Sequence, residues 1–179
     1  MKSTKKTCRA CGGSVSQRVG TVTGSPVVGP DVQLSGLTIN RCDDCSDEGL
    51  VIPHPEELLE ELARVRIHKR TALAPEEIRD LRKWMGLSGQ GLARLLGVQP
   101  ESVSRWENGR LKVRPLADRA LRLLVAVRLP RESVDVDFLT GIDLESTPPL
   151  APTLKFENDA WREVGPEGPT PAAGMSSSS

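Results

Sequence analysis

Two groups of residues in this 179-residue chain have the types and spacing to do chemistry. The first is four cysteines: Cys8-x-x-Cys11, followed by Gly12-Gly13, and Cys42-x-x-Cys45 after thirty intervening residues. Two residues between cysteines let one tight turn offer both sulfurs to a single ion, so two such turns make a tetrahedral four-thiolate site for Zn(II). A site closed by four protein ligands leaves no open position for substrate, which makes the metal structural rather than catalytic. Four thiolates around one Zn(II) leave about two negative charges, and Lys5, Lys6, Arg9 and Arg41 stand close in sequence to offset them. A redox-active pair is the competing reading, but it calls for a βαβ setting that the flanking pattern lacks. Structural disulfides conflict with a chain that has no hydrophobic signal region after Met1-Lys2-Ser3 and so reads as cytoplasmic. His54 and His68 are spare candidate ligands or simply solvated side chains.

The second group lies in residues 87–109, LSGQGLARLLGVQPESVSRWENG. Leu87, Leu92, Leu96, Val98 and Val103 fall where two short helices would press together as a helix-turn-helix. Ser88 is suited to cap the first helix, Gly97 to end it at positive φ, Pro100 to open the second, and Asn108-Gly109 to stop it. Gln99, Glu101, Ser102 and Arg105 then face outward on the second helix, a set able to hydrogen-bond base edges and phosphates. Arg110, Lys112 and Arg114 follow as a basic loop fit to grip phosphates beside the groove. These seven residues are the candidate DNA-binding set.

The elements that must position these groups follow from periodicity. Val15, Gln17, Val19 and Thr21 alternate, as do Val32 with Leu34 and Leu37 with Ile39, and Gly36 sits where a bulge would shift the alternation. The expectation is a small antiparallel sheet clamped at one end by metal over residues 1–52. A connector helix and hinge occupy 53–74, opened by Pro53-His54-Pro55, striped by Leu58, Leu62 and Val65, and ending in the hinge Thr71–Ala74. Residues 75–140 form the helix-turn-helix domain, with Ile78, Leu81 and Met85 inward on its first helix. Its last long helix begins at Pro115 with Leu116, Ala120, Leu123, Leu124 and Val127 on one face. Leu121 and Val125 lie outside that stripe, a surplus of apolar circumference that fits either a dimer contact or packing on Val134 and Phe138. Residues 141–179 read as an irregular acidic tail rich in proline and serine. Leu154-Lys155-Phe156 and Trp161 interrupt it as a docking motif or a cap on the folded body. The fold class expected is therefore α+β, two small domains, with the β unit preceding an all-α domain.

Zero net charge conceals segregation. Residues 71–130 carry eleven Lys/Arg against six Asp/Glu, whereas residues 131–179 carry three against nine. A basic helical block suits a phosphate-bearing partner, and an acidic tail is commonly solubilising or partner-facing. No apolar run reaches the ~18 residues of a membrane span. An enzyme is not expected: there is no His/carboxylate cluster and no Ser–His pairing, and GGSVSQ and SGQGLA lack the spacing and lysine of a phosphate loop.

A CxxC–sheet–CxxC unit, a connector helix and this helix-turn-helix, in that order, resemble the MqsA-type antitoxins, with SGLTINRCDDC and VSRWENG the most telling stretches. Those proteins join a YgiT-like zinc domain to a lambda-repressor/Xre-like DNA-binding domain, and the likeness spans roughly residues 6–128. It implies a structural zinc on Cys8, Cys11, Cys42 and Cys45 and a homodimer through the C-terminal domain. It also implies autorepression at a palindromic operator in double-stranded DNA, a bacterial, cytoplasmic, nucleoid-associated location, and an mRNA-cleaving toxin bound by the zinc domain. The alternative is a stand-alone zinc-containing Xre-type regulator with no toxin. Arg105 matches the family's arginine on the recognition helix. Glu101 stands where the best-known member has an asparagine; a glutamate there accepts from cytosine N4 but is repelled by phosphate. Gly89 and Gly91 also depart from the pattern, each weakening its helix by about 1 kcal/mol relative to alanine. The acidic C-terminal extension has no counterpart in compact family members.

Overall fold

A computed structural model describes residues 7–130 and 132–165. The chain opens with strand β1 (Val15–Ser25), which turns at Pro26–Val28 into the long antiparallel strand β2 (Gly29–Cys42). Gly20 pairs with Leu37 and Val22 with Leu34, so Ser35 and Gly36 together oppose the single residue Thr21. That is the bulge the sequence pattern placed at Gly36. Its φ of +75 and the approach of the Phe156 carbonyl explain the glycine, since a Cβ there would lie 2.4 Å from that oxygen. The extra residue flips the alternation, which is why Val32, Leu34, Leu37 and Ile39 are all buried despite changing parity. Strand β3 (Glu48–Val51) pairs antiparallel with the C-terminal half of β2.

Helix α1 (Pro55–Ile67) lies on this sheet with Leu58, Leu62 and Val65 inward, as its spacing predicts. Burying a leucine such as Leu58 or Leu62 stabilises by roughly 1.5–3 kcal/mol, and both are almost fully enclosed. Four helices follow: α2 (Pro75–Trp84), α3 (Gly89–Leu96), α4 (Pro100–Glu107) and α5 (Pro115–Ala126), and after them the short α6 (Val136–Thr140). Ile78, Leu81, Leu92, Val103, Trp106, Leu121 and Val125 form their shared core, to which Ala63 and Ile67 of α1 also belong. Helix α1 therefore serves two cores at once.

Two expectations about the joints are overturned. Thr71–Ala74 is no hinge: Ala72, Leu73 and Ala74 are buried, the Leu73 N–H donates to Asp118, and the Ala72 N–H donates to the carbonyls of Asp143 and Ser146. Nor is the region after residue 140 irregular throughout. Strand β4 (Thr153–Glu157) adds to β2 in parallel, and β5 (Ala160–Val164) pairs antiparallel with β4. Leu154 and Trp161 enter the sheet core, and the Trp161 indole donates to the Pro53 carbonyl. The aromatic segment is a cap on the folded body. The sparse turn signal Asn158-Asp159, both at positive φ, was the sequence trace of this hairpin. The rest of the tail, 166–179, lies outside the described residues.

The join is polar and fully enclosed. Arg122 of α5, with no exposed surface, donates to Asp118 at 2.6 Å and to the carbonyls of Ile67, Lys69 and Thr71. Lys69 pairs with buried Glu77 at 2.7 Å, and Glu77 also accepts the Ala74 and Leu150 N–H groups. Removing one member of such a set strands the others without solvent. Arg122→Met is expected to lower unfolding stability by about 3–5 kcal/mol, read from urea denaturation. A loss near zero would mean the set is not holding the two cores together.

Candidate metal centre and nucleic-acid interface

The four cysteine sulfurs lie within 4.8 Å of one another at the far end of the sheet. Cys8 and Cys11 come from a turn before β1, which a Thr7–Ser14 bridge closes; Cys42 ends β2, and Cys45 follows in the turn before β3. Cys8 and Cys42 are buried, Cys11 and Cys45 exposed. The Cys8–Cys45 and Cys11–Cys42 sulfur separations are 3.6 and 3.4 Å, close to the ~3.8 Å edge of a tetrahedron with Zn–S bonds of about 2.3 Å. Backbone amides already favour the thiolate form. The N–H groups of Cys45 and Asp44 bring Cys42 down to about 7. The Asp47 N–H favours the Cys45 thiolate too, yet crowding by the other three sulfurs outweighs it and pushes Cys45 up to about 12. Four sulfurs this close hold their negative charge only with a cation among them, so the residues fit a closed tetrathiolate ion site. Arg9 and Arg41 are exposed nearby, Arg41 lying 3.8 Å from Glu48; Lys5 and Lys6 fall outside the described residues. His54 and His68 are elsewhere, bonded to Asp159 and Glu132.

In the helical half, Ser88 caps α3 by accepting the Gly91 N–H at 3.0 Å, and Gly97 ends that helix at φ +64. Pro100 occupies the first turn of α4, and Gly109 follows its end at φ +67. The outer face of α4 carries Glu101, Ser102 and Arg105, with Gln99 at its N-cap; only Ser102 is partly covered. Glu101, Arg105, Arg110 and Arg114 make no side-chain hydrogen bond or ion pair among the described residues, and Lys112 alone is engaged, donating to the Glu145 carbonyl at 3.1 Å. The candidate set is thus brought onto one helix and the loop after it.

What the periodicity did not reveal is how α4 is held. Arg82 of α2 reaches both Glu107 oxygens, at 2.5 and 2.9 Å, and donates to the Leu87 carbonyl just before α3. Arg79 of α2 donates to the Glu107 carbonyl and, at 3.4 Å, to Asn108. Two arginines on one helix therefore fix the end of α4 and the entry to α3 together. The available signal was Glu107 itself, an acid next to inward-facing Trp106.

The face of α5 is opposite to the expected one. Ala117, Leu121, Val125 and Ala126 point into the core, while Leu116 (79% exposed), Leu123 and Val127 (86%) point outward. An apolar pattern on both faces of this 12-residue helix gives periodicity no basis for choosing; Asp118 and Arg122, bonded inward, decide it. With Leu95 and Leu96 of α3, the outward residues make a continuous apolar surface.

Residues 78–132 match the Helix-turn-helix family model, so the segment from inside α2 to just beyond α5 is a helix-turn-helix domain, similar to those of DNA-binding regulators. No curated protein and no solved structure matches the chain. No helix among the described residues is long and apolar enough to cross a membrane.

Two measurements check this geometry. Elemental analysis of purified protein is expected to give one zinc per chain, falling to a small fraction in Cys42→Ser, with metal uptake releasing protons and tightening as pH rises. Glu107→Gln, which keeps shape but removes the charge that Arg82 grips, is expected to lower stability by about 1–3 kcal/mol.

Proposed function

We propose that the protein is a homodimeric, sequence-specific repressor of transcription whose metal-pinned sheet also serves as a protein-binding unit. The observation that carries this reading is the division of labour on α4. Its inner side and C-terminal end are locked by the core and by Arg79 and Arg82, whereas Gln99, Glu101, Ser102 and Arg105 remain uncommitted on its outer side. Helix-turn-helix proteins read base edges with such a face. In the complex, Gln99, Ser102 and Arg105 read bases, Glu101 accepts from cytosine, and Arg110, Lys112 and Arg114 bond phosphates on the flank. Lys112 exchanges its carbonyl partner for a phosphate.

The dimer is supported by the outward apolar surface of α5 and α3. Lone exposed aliphatic side chains are ordinary, but a contiguous set of Leu95, Leu116, Leu123 and Val127 on adjacent helices suits a self-complementary contact. Two copies joined there present their reading helices to successive major grooves of a palindrome, about 34–36 Å apart.

The role of antitoxin, with Cys8, Cys11, Cys42 and Cys45 holding zinc and the sheet unit neutralising an mRNA-cleaving toxin, rests on the resemblance in domain order. A stand-alone zinc-containing regulator is favoured by a different observation: β4 and β5 already extend the sheet, so part of the zinc unit is scaffold for the chain's own C-terminal segment. Co-expression with the neighbouring gene separates the two. Rescue from toxicity with co-purification supports the antitoxin, and neither result leaves the lone regulator.

For DNA reading, Arg105→Ala is expected to weaken binding to a selected operator by about 1–3 kcal/mol and relax preference at one position. Lys112→Ala should instead weaken all sequences alike and flatten the salt dependence. Val127→Glu is expected to give a monomer by analytical ultracentrifugation. Unchanged operator affinity and preference in Arg105→Ala would remove α4 as the reading element.

A further inference from the structure

A cleft of about 390 Å³ runs between the β1–β2 turn, α1 and α2, at the join of the two halves. Its apolar wall includes Val27, Leu59 and Trp84, of which Val27 is exposed and Trp84 half-covered. Its polar groups are Arg66, Asp80 and Lys83. Arg66 is buried and bonded to Asp80 at 2.8 Å, so those two charges compensate each other. Lys83 makes no ion pair among the described residues, and the uncompensated charge of the cleft is therefore one cation. Volume in the range of small-molecule sites, a mostly apolar lining, a few convergent polar groups and a position between two structural units are the ordinary attributes of a ligand site.

We propose that this cleft binds a small, flat, apolar carboxylic acid carrying one negative charge, and that its occupancy alters DNA binding. The carboxylate meets the Lys83 ammonium at the rim, and the apolar body lies against Trp84, Val27 and Leu59. Helix α2 supplies the coupling. Asp80, Lys83 and Trp84 face the cleft, whereas Arg79 and Arg82 of the same helix hold Glu107 and the end of the reading helix. A ligand seated against one side of α2 acts on the grip exerted by the other side. The β1–β2 turn is already close to that side, since a Cβ on Gly29 would lie 3.9 Å from Asp80. The regulatory half of this inference rests on the DNA-binding reading; the binding half does not.

The test uses full-length, zinc-loaded protein and 2-naphthoate as probe, followed by tryptophan fluorescence. Saturable binding at millimolar concentration or below is expected, with the signal lost in Trp84→Phe and kept in Trp161→Phe. The neutral analogue 2-naphthalenemethanol should bind about tenfold more weakly, Lys83→Gln about fivefold more weakly, and Val27→Glu not measurably. Both variants alter exposed positions, and unchanged circular dichroism confirms that they fold. Saturating 2-naphthoate should shift affinity for an operator selected from random DNA by about threefold or more, and by linkage the operator should shift probe affinity equally. Absence of saturation, or binding indifferent to both Lys83→Gln and Val27→Glu, overturns the site. Probe binding with unchanged operator affinity overturns the coupling. Probe binding by a protein that selects no DNA overturns the DNA reading and leaves the cleft standing.

Discussion

The structure depends on one enclosed cation. Arg122 stands in α5 where an aliphatic residue would have been the inexpensive choice, and removing a guanidinium from water is tolerable only when nearly every donor is met. Here Asp118 one turn away supplies a carboxylate, and three carbonyls from the end of α1 and the stretch after it supply the rest. Those carbonyls include that of Ile67 at the C-terminal end of α1, where backbone acceptors lack helical partners and the helix dipole presents its negative pole. The same charge therefore finishes α1, orders residues 67–71 and locates α5. A leucine at 122 would pack but leave those acceptors unpaired, so the ionic solution follows from the shape of the join.

The remaining polar contacts extend this arrangement to the C-terminal segment. Glu77 bonds Lys69, Ala74 and Leu150, and the Gln33 N–H of β2 donates to the Pro152 carbonyl just before β4. The chain thereby returns from the helical half to the sheet and places Leu154 and Trp161 in its core. The two halves of the sheet are held differently as a result. Around Val28–Leu37, aliphatic side chains, α1 and the returning hairpin supply packing. Toward Cys42, β3 is exposed along its whole length and the apolar cluster has ended. In so small a unit that end needs another source of order, and the four clustered cysteines are placed where a bound ion would supply it.

Legibility in the sequence tracked whether a residue acts locally. The caps Ser88 and Gly97, the breaks at Pro100 and Gly109, the bulge at Gly36 and the α1 stripe each depend on neighbours within a turn or a strand pair, and the pattern disclosed them. The cysteine cluster was legible because metal coordination imposes its own spacing. What escaped was long-range. Residues 71–74 look like a hinge until Asp118 and Asp143 arrive from distant segments. Strand β4 joins in parallel with β2 over only Gln33–Ser35, too short for alternation to show. The inward face of α5 was chosen by a charged pair that a hydrophobicity count assigns to the surface, and so the opposite face was read as core.

A neutral chain can still read DNA if its charges are sorted, and the proposed complex depends on that sorting more than on total charge. Glu101 sits in the first turn of α4, where the helix dipole favours an anion and stabilises the free protein. Against a phosphate backbone the same anion is repelled, so attraction must come from its surroundings. Arg105 on α4 and Arg110, Lys112 and Arg114 beyond it outnumber Glu101, and none is held by a carboxylate on the helix face itself. Several acids of the helical half are instead turned inward: Glu107 to Arg82, Asp118 to Arg122, Glu77 to Lys69, whereas Glu145 stays exposed 3.9 Å from Lys112. Internal pairing removes negative charge from the outer side of α4 without removing it from the chain, and Glu101 is the anion that stays on that helix face.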